Sequence, residues 1–243
     1  MSDIKYIEFA VYFPASNNHK MLFIDNVQVY DVEKYDTILN GLNALYLGDS
    51  ISEAIGYKGW RGELLEHYGV KNYNVSASGA VLINNKSHNL HDQFNRIPAN
   101  VDYDLIILNG GVNDVWQNMP LGEVTPAGTT VFNVDTTIGA MEDLFAKLQQ
   151  QYPNAQIVYI LNYTCHESIY PSETFETEFA PLARAACEKW NVPYLDLVTN
   201  DAFTAEFDVT AGVHTYDGCH ANTEGYTLIT KYLAPFLIEV LSK

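Results

Sequence analysis

Two apolar runs constrain the fold of this chain more than any other feature. "DLIILNGG" (104–111) and "QIVYILNY" (156–163) carry no polar alternation. A strand with one face in water alternates. A strand that does not alternate is covered on both faces, as in a parallel sheet flanked by helices. Between the two runs lies "TTIGAMEDLFAKLQQQ", where Ile138, Met141, Leu144, Phe145 and Leu148 share one helical stripe.

The same alternation fills the chain from about Leu42 onward. "ALYLG" reads as a strand. "SEAIGYKGWRGELLEHYG" is broadly helical, interrupted by glycines and closed by Gly69. "YNVSASG" is a short strand. Later, "SETFETEFAPLARAACEKW" repeats the helical stripe with Phe175, Phe179, Leu182, Ala186 and Trp190. "VPYLDL" is a short strand, and "NTEGYTLITKYLAPFLIEVL" is a last helix with an expected bend near Pro235. Strand and helix in turn imply parallel strands, right-handed crossovers and helices on both faces. The expected class is α/β.

The first forty residues read differently. "YIEFAVYF" and "MLFIDNVQVYDV" are β-rich, with the turn-like "PASNNHK" between them. They predict a β-hairpin over 1–40, ahead of an α/β domain over 41–243. An isolated hairpin is marginal in water, so it must pack on something. It resembles the last two strands of a β-sandwich module of the carbohydrate-binding kind. A hairpin covering part of the main domain is the alternative.

Charge excludes some functions. Asp and Glu number 30 against 13 Lys and Arg, a formal net charge of -17. Such a surface repels nucleic-acid phosphate and anionic membranes, so neither is expected as a partner. No run reaches ~18 uninterrupted apolar residues. "MSDIKYIEFAVYF" shows no signal-peptide pattern, which gives a cytoplasmic expectation by default; a place within a larger secreted protein is the alternative. Cys165, Cys187 and Cys219 are odd in number, too few for a disulfide framework, and lack CxxC spacing. Cys219 is expected to be a packed thiol. No metal is expected: His88, His91 and Asp92 lack further ligands of matching logic and read as a solvated face.

In parallel α/β sheets, ligands bind beyond the carboxyl ends of the strands. Ser50 sits just past the first strand, in "LYLGDSISEAIG". Gly79 follows the second and Asn113 with Asp114 the third. Asp217 and His220, in "YDGCHANTEGY", follow the fifth after a loop. The topology rule brings these loops to one edge, where they supply the parts of an acyl-transfer site. A serine hydroxyl is a poor nucleophile until a base takes its proton, and His220 is suited to that task. Asp217, three residues earlier, can fix the ring tautomer and stabilise the imidazolium. The backbone N–H groups of Ser50 and Gly79 and the Asn113 amide can donate to an oxyanion. Asp114 reads as structural, holding its loop by bonds to backbone.

The segments "GDSIS", "SASG", "GVND" and "DGCH" resemble blocks I, II, III and V of the GDSL/SGNH hydrolase superfamily, in the family's order. Block I has Ile51 where the family name has leucine, and the usual fourth-block residues are not identifiable. No G-x-S-x-G elbow occurs, which argues against an α/β-hydrolase proper. The resemblance implies a three-layer α/β/α sandwich of flavodoxin-like type and ester hydrolysis without cofactor. It implies Ser50 as nucleophile, His220 as base and Asp217 as triad acid, with Ser50, Gly79 and Asn113 as oxyanion donors.

Further rim residues are candidate substrate contacts: Trp116 and Tyr163, which follow the third and fourth strands, and His166 and His214 in neighbouring loops. The loop "VWQNMPLGEVTPAGTTVFNVD" (115–135) is expected to set specificity or act as a lid. The acidic surface, the rim aromatics and the hairpin lean toward short acyl groups on a small-molecule or carbohydrate ester. A lysophospholipase or thioesterase is the alternative, as is a non-catalytic carbohydrate-binding module on the same scaffold.

Overall fold

The computed structural model describes residues 38–243; the expected hairpin therefore lies outside the described residues, as does nearly all of the segment 1–40. Five parallel strands form one sheet in the order β2-β1-β3-β4-β5. They are β1 (Asn43–Leu47), β2 (Lys71–Asn74), β3 (Leu105–Asn109), β4 (Gln156–Leu161) and β5 (Tyr194–Asp196). The register runs Leu45↔Ile106 between β1 and β3 and Ile107↔Val158 between β3 and β4. Every residue of β3 is buried, as its unbroken apolar run requires. Edge strand β2, "KNYN", is polar and partly exposed.

Helices flank the sheet: α1 (Ser50–Glu53), α2 (Gly59–Tyr68), α3 (Leu90–Phe94), α4 (Val112–Trp116), α5 (Thr137–Gln151), α6 (Ser172–Thr174), α7 (Ala180–Lys189), α8 (Asp201–Glu206) and α9 (Thr223–Leu241). Helices α2 and α9 pack on each other, and α5 packs on α7 and α3. This is the expected three-layer α/β/α sandwich. The stripe Ile138, Met141, Leu144, Phe145 and Leu148 of α5 is wholly buried. Gly69 ends α2 in the left-handed conformation, its N–H bonded to the Leu64 and Leu65 carbonyls.

One expectation needs correction. The second helical stripe is not uniform: Phe175–Phe179 is a π-helical turn between α6 and α7. Helix α9 carries Pro235 inside its span without a break in the helix. In the segment 115–135, Trp116 lines the cavity that holds Ser50, and the residues further along are tied to the helices. Thr125 N–H donates to Glu142 of α5 at 2.9 Å, and Thr125 Oγ1 and Glu142 both accept from Lys189 of α7. Phe132 packs on Trp190, ring centroids 5.6 Å apart. Polar bonds to buried Glu142 and an aromatic contact thus hold the loop against the helices.

The strand order reverses between β1 and β3. The chain steps outward to β2, then crosses back, so the loops after β1 and β3 diverge and leave a crevice. Ser50 follows β1 and Asn113 follows β3, so both border that crevice.

Candidate active site

The turn after β1 is fixed from several directions. Asp49 caps α1: its Oδ1 accepts from the Ile51 N–H at 3.0 Å and from Asn109 Nδ2 at 3.1 Å. Burial pushes the Asp49 carboxyl above the usual range, and these two bonds offset only part of that. Gly48 N–H donates to Gln93 Oε1 at 2.9 Å, and Gln93 Nε2 returns a bond to Gly48 O at 2.8 Å. A buried side-chain amide thus stands in for a neighbouring strand. Gly48 has no room for a side chain: a Cβ there would lie 1.8 Å from Asn109 Oδ1.

Helix α1 is one turn long, so its last carbonyls need outside donors. Tyr226 Oη donates to Ile51 O at 2.9 Å, Arg61 Nε to Ser52 O at 2.8 Å and Arg61 Nη2 to Glu53 O at 2.6 Å. Ser50, the first residue of this helix, has a backbone N–H with no intrahelical partner.

Ser50 Oγ lies 2.9 Å from His220 Nε2. His220 Nδ1 lies 2.7 Å from Asp217 Oδ2. Asp217 Oδ1 accepts from the backbone N–H groups of Cys219 at 2.9 Å and His220 at 2.7 Å. Partial burial acts to raise the Asp217 carboxyl; the His220 ring and the two backbone donors outweigh it and hold the group below its ordinary range. An ionised carboxylate only accepts, so Nδ1 carries the ring proton, Nε2 is the acceptor and the Ser50 hydroxyl donates. That protonation pattern is the one a serine nucleophile needs before attack.

Ser50, Gly79, Asn113 and His220 line one cavity of about 330 Å³, with Ala54, Ile55, Tyr57, Ser78, Trp116, Tyr216 and Tyr226. Gly79 holds φ +75°, which favours glycine, and a Cβ there would meet open space. Glu53 of α1 accepts from both the N–H and the hydroxyl of Ser78, fixing the residue that precedes Gly79. Asn113 is buried; one hydrogen of its Nδ2 goes to Ala80 O at 3.0 Å, leaving the other to point elsewhere. Asp114 behaves as a structural residue: its oxygens accept from Leu82 N–H at 2.8 Å and Ile83 N–H at 3.1 Å. A larger surface hollow, near Val192, Phe236 and Glu239, gathers no nucleophile–base pair.

These blocks and their spacing fit the GDSL-like lipase/acylhydrolase family, whose family model matches residues 46–228. The chain belongs to this family. Several solved structures are similar to it in fold. One is a protein from Lactobacillus plantarum, at 23% identity and TM-score 0.67, covering 82% of this chain and 98% of that one. Another is a GDSL-like lipase from Bacteroides ovatus, at 19% identity and TM-score 0.60, covering 82% and 100%. A third is the acetylxylan esterase Axe2 from Geobacillus stearothermophilus, at 15% identity and TM-score 0.58, covering 82% and 95%. A comparison with curated proteins found no match.

The remaining candidates divide between this cavity and other places in the GDSL-like fold. Trp116 lines the cavity and is 63% exposed. Tyr163 is buried, and its hydroxyl donates to Cys219 O at 2.6 Å, so it supports the His220 turn from below. His166 Nδ1 pairs with Ser168, and His214 Nδ1 accepts from the Asp208 N–H; neither ring borders the cavity. His91 is not on a solvated face: it is buried, with Nε2 3.0 Å from Asp143. Cys219 is no free thiol but pairs with Cys165. An odd cysteine count does not exclude one bridge; Cys187 is the third, buried and unpaired. Gln93, Glu53 and Arg61 carry no motif that sets them apart in the sequence.

Proposed function

We propose that the protein is a serine ester hydrolase that cleaves short-chain acyl esters, O-acetyl groups on carbohydrates being the favoured class. The observation that carries this is the Ser50 Oγ–His220 Nε2 contact of 2.9 Å, made in the cavity that Gly79 and Asn113 also line. As Ser50 Oγ attacks the ester carbonyl, its proton passes to His220 Nε2, and Asp217 stabilises the imidazolium. The carbonyl oxygen becomes negative and meets the Ser50 and Gly79 N–H groups and the free Asn113 amide hydrogen. Collapse breaks the bond to the alcohol, which takes the proton from His220. Water then repeats the sequence on the acyl-serine, releasing the acid and restoring Ser50. No step needs a cofactor.

A cavity of about 330 Å³ is at the small end for ligand sites and suits a short acyl group. The exposed Trp116 and the acidic surface favour a neutral, ring-bearing substrate such as a sugar ester. Acetylxylan esterases among the similar folds support the same lean. The test is hydrolysis of p-nitrophenyl acetate by wild type and Ser50→Ala. Loss of cleavage in a folded variant supports the reading; wild-type turnover in that variant contradicts it.

A further inference from the structure

Tyr216 is held on the imidazole of His220. The two rings lie 5.5 Å apart between centroids and 13° from parallel, and the Tyr216 N–H donates to His220 O at 3.0 Å. Tyr57 packs on Tyr216 in turn, at 5.5 Å and 15°. Yet Tyr216 is 48% exposed, and it lines the cavity that holds Ser50. A large aromatic side chain, fixed by two neighbouring rings and half open to the site, is pre-organised to meet a ligand.

The chemistry says which part of the ligand it meets. In ester cleavage His220 Nε2 delivers its proton to the departing alcohol oxygen, so that oxygen must come within hydrogen-bond reach of Nε2. Whatever that oxygen carries then lies beside the ring stacked on His220. The acyl carbon stays bonded to Ser50 Oγ and takes no part in this contact.

We propose that Tyr216 forms the alcohol-side wall of the site and selects esters of ring-bearing alcohols, the sugar ring being the class that fits. This rests on the esterase reading. A cyclic alcohol presents a rigid C–H surface that packs on the exposed part of Tyr216 without losing chain entropy, whereas a small acyclic alcohol leaves the wall in water. Ile55, 66% exposed, lines the same cavity and adds apolar surface to it.

The test compares cyclohexyl acetate with ethyl acetate, whose leaving alcohols are similar in acidity but differ in shape. In Tyr216→Ala, the ratio of kcat/KM for the cyclohexyl ester to that for the ethyl ester should fall by about tenfold. Tyr216→Phe should restore most of the ratio, because the ring and not the hydroxyl forms the wall. Tyr216→Ser provides a second truncation should the alanine variant not fold. A ratio unchanged in both truncations overturns the proposal, even if overall activity falls, since that would mean Tyr216 merely orients His220. A wild-type protein that cleaves p-nitrophenyl acetate but neither of these esters overturns the proposal alone, and one that cleaves none of the three overturns the esterase reading with it.

Discussion

Cys165 and Cys219, 54 residues apart in the chain, are joined by a disulfide that fastens the segment after β4 to the turn carrying Asp217 and His220. Two hydrogen bonds run alongside it. His166 N–H donates to Gly218 O at 2.7 Å, and Tyr163 Oη donates to Cys219 O at 2.6 Å. The carbonyls of this turn are thus held from β4, while the Cys219 and His220 N–H groups are held by Asp217.

Opening that bridge should loosen the base without removing it. Treatment with a dithiol reductant, or the double variant Cys165→Ala/Cys219→Ala, is expected to lower kcat roughly 10- to 100-fold with a smaller change in KM. Global stability should fall by about 2–4 kcal/mol, read as a denaturation midpoint. The double variant should also be insensitive to reductant. Equal kcat before and after full reduction, verified by counting thiols, would contradict this role.

Glu53 holds Ser78, the residue that leads into Gly79, by its N–H and its hydroxyl. In Glu53→Ala the Gly79 N–H should lose its fixed direction. A single oxyanion donor is typically worth about 100- to 1000-fold, so an indirect displacement should lower kcat by roughly tenfold or more while KM changes little. Glu53→Gln keeps an acceptor and should recover most of the loss. A shift in KM alone would show that Glu53 serves substrate binding instead.

Gln93 meets both polar groups of the Gly48 peptide. Gln93→Leu leaves a buried N–H without its partner and removes one donor from the carbonyl, which also accepts from Ala77 N–H. The expected loss is about 2–4 kcal/mol of stability, seen in chemical denaturation. A change below about 0.5 kcal/mol would mean that the turn reorganises freely.

Asp114 gives a pH signature. Burial first, only partly offset by the Leu82 and Ile83 N–H groups, pushes its carboxyl up to about 6 from an ordinary 3.8. The folded chain therefore keeps this proton at pH values where the unfolded chain has released it. Stability from this group is present below the unfolded value and is lost as pH rises from about 4 to about 6, by roughly 2–3 kcal/mol. The difference in stability between wild type and Asp114→Asn should slope downward with pH across that window. A flat difference curve would contradict the shift.

The core of the fold is legible in the sequence because β3 and β4 are unbroken apolar runs, and only a sheet covered on both faces accommodates them. Ser50, Gly79, Asn113, Asp217 and His220 are legible because strand ends of a parallel sheet converge on one edge, whatever the details of packing. Residues that act through distant backbone were not legible. Gln93 meets Gly48 from 45 positions away, and nothing in "LHDQF" distinguishes it from a surface glutamine. Tyr163 and Trp116 both follow a strand and look alike as letters, yet one is buried beneath the His220 turn and the other opens onto the cavity. The Cys165–Cys219 pairing depends on how the loop after β4 meets the α8–α9 loop, a non-local fact that a count of three cysteines does not contain.

Reaction with a fluorophosphonate, followed by peptide mass mapping, tests the proton relay most directly. The reagent should modify Ser50 stoichiometrically in the wild-type protein, and His220→Ala should slow that modification by several orders of magnitude, with Asp217→Asn slowed less. A protein that takes no label, or one whose label on Ser50 forms at the same rate without the imidazole, would contradict the account.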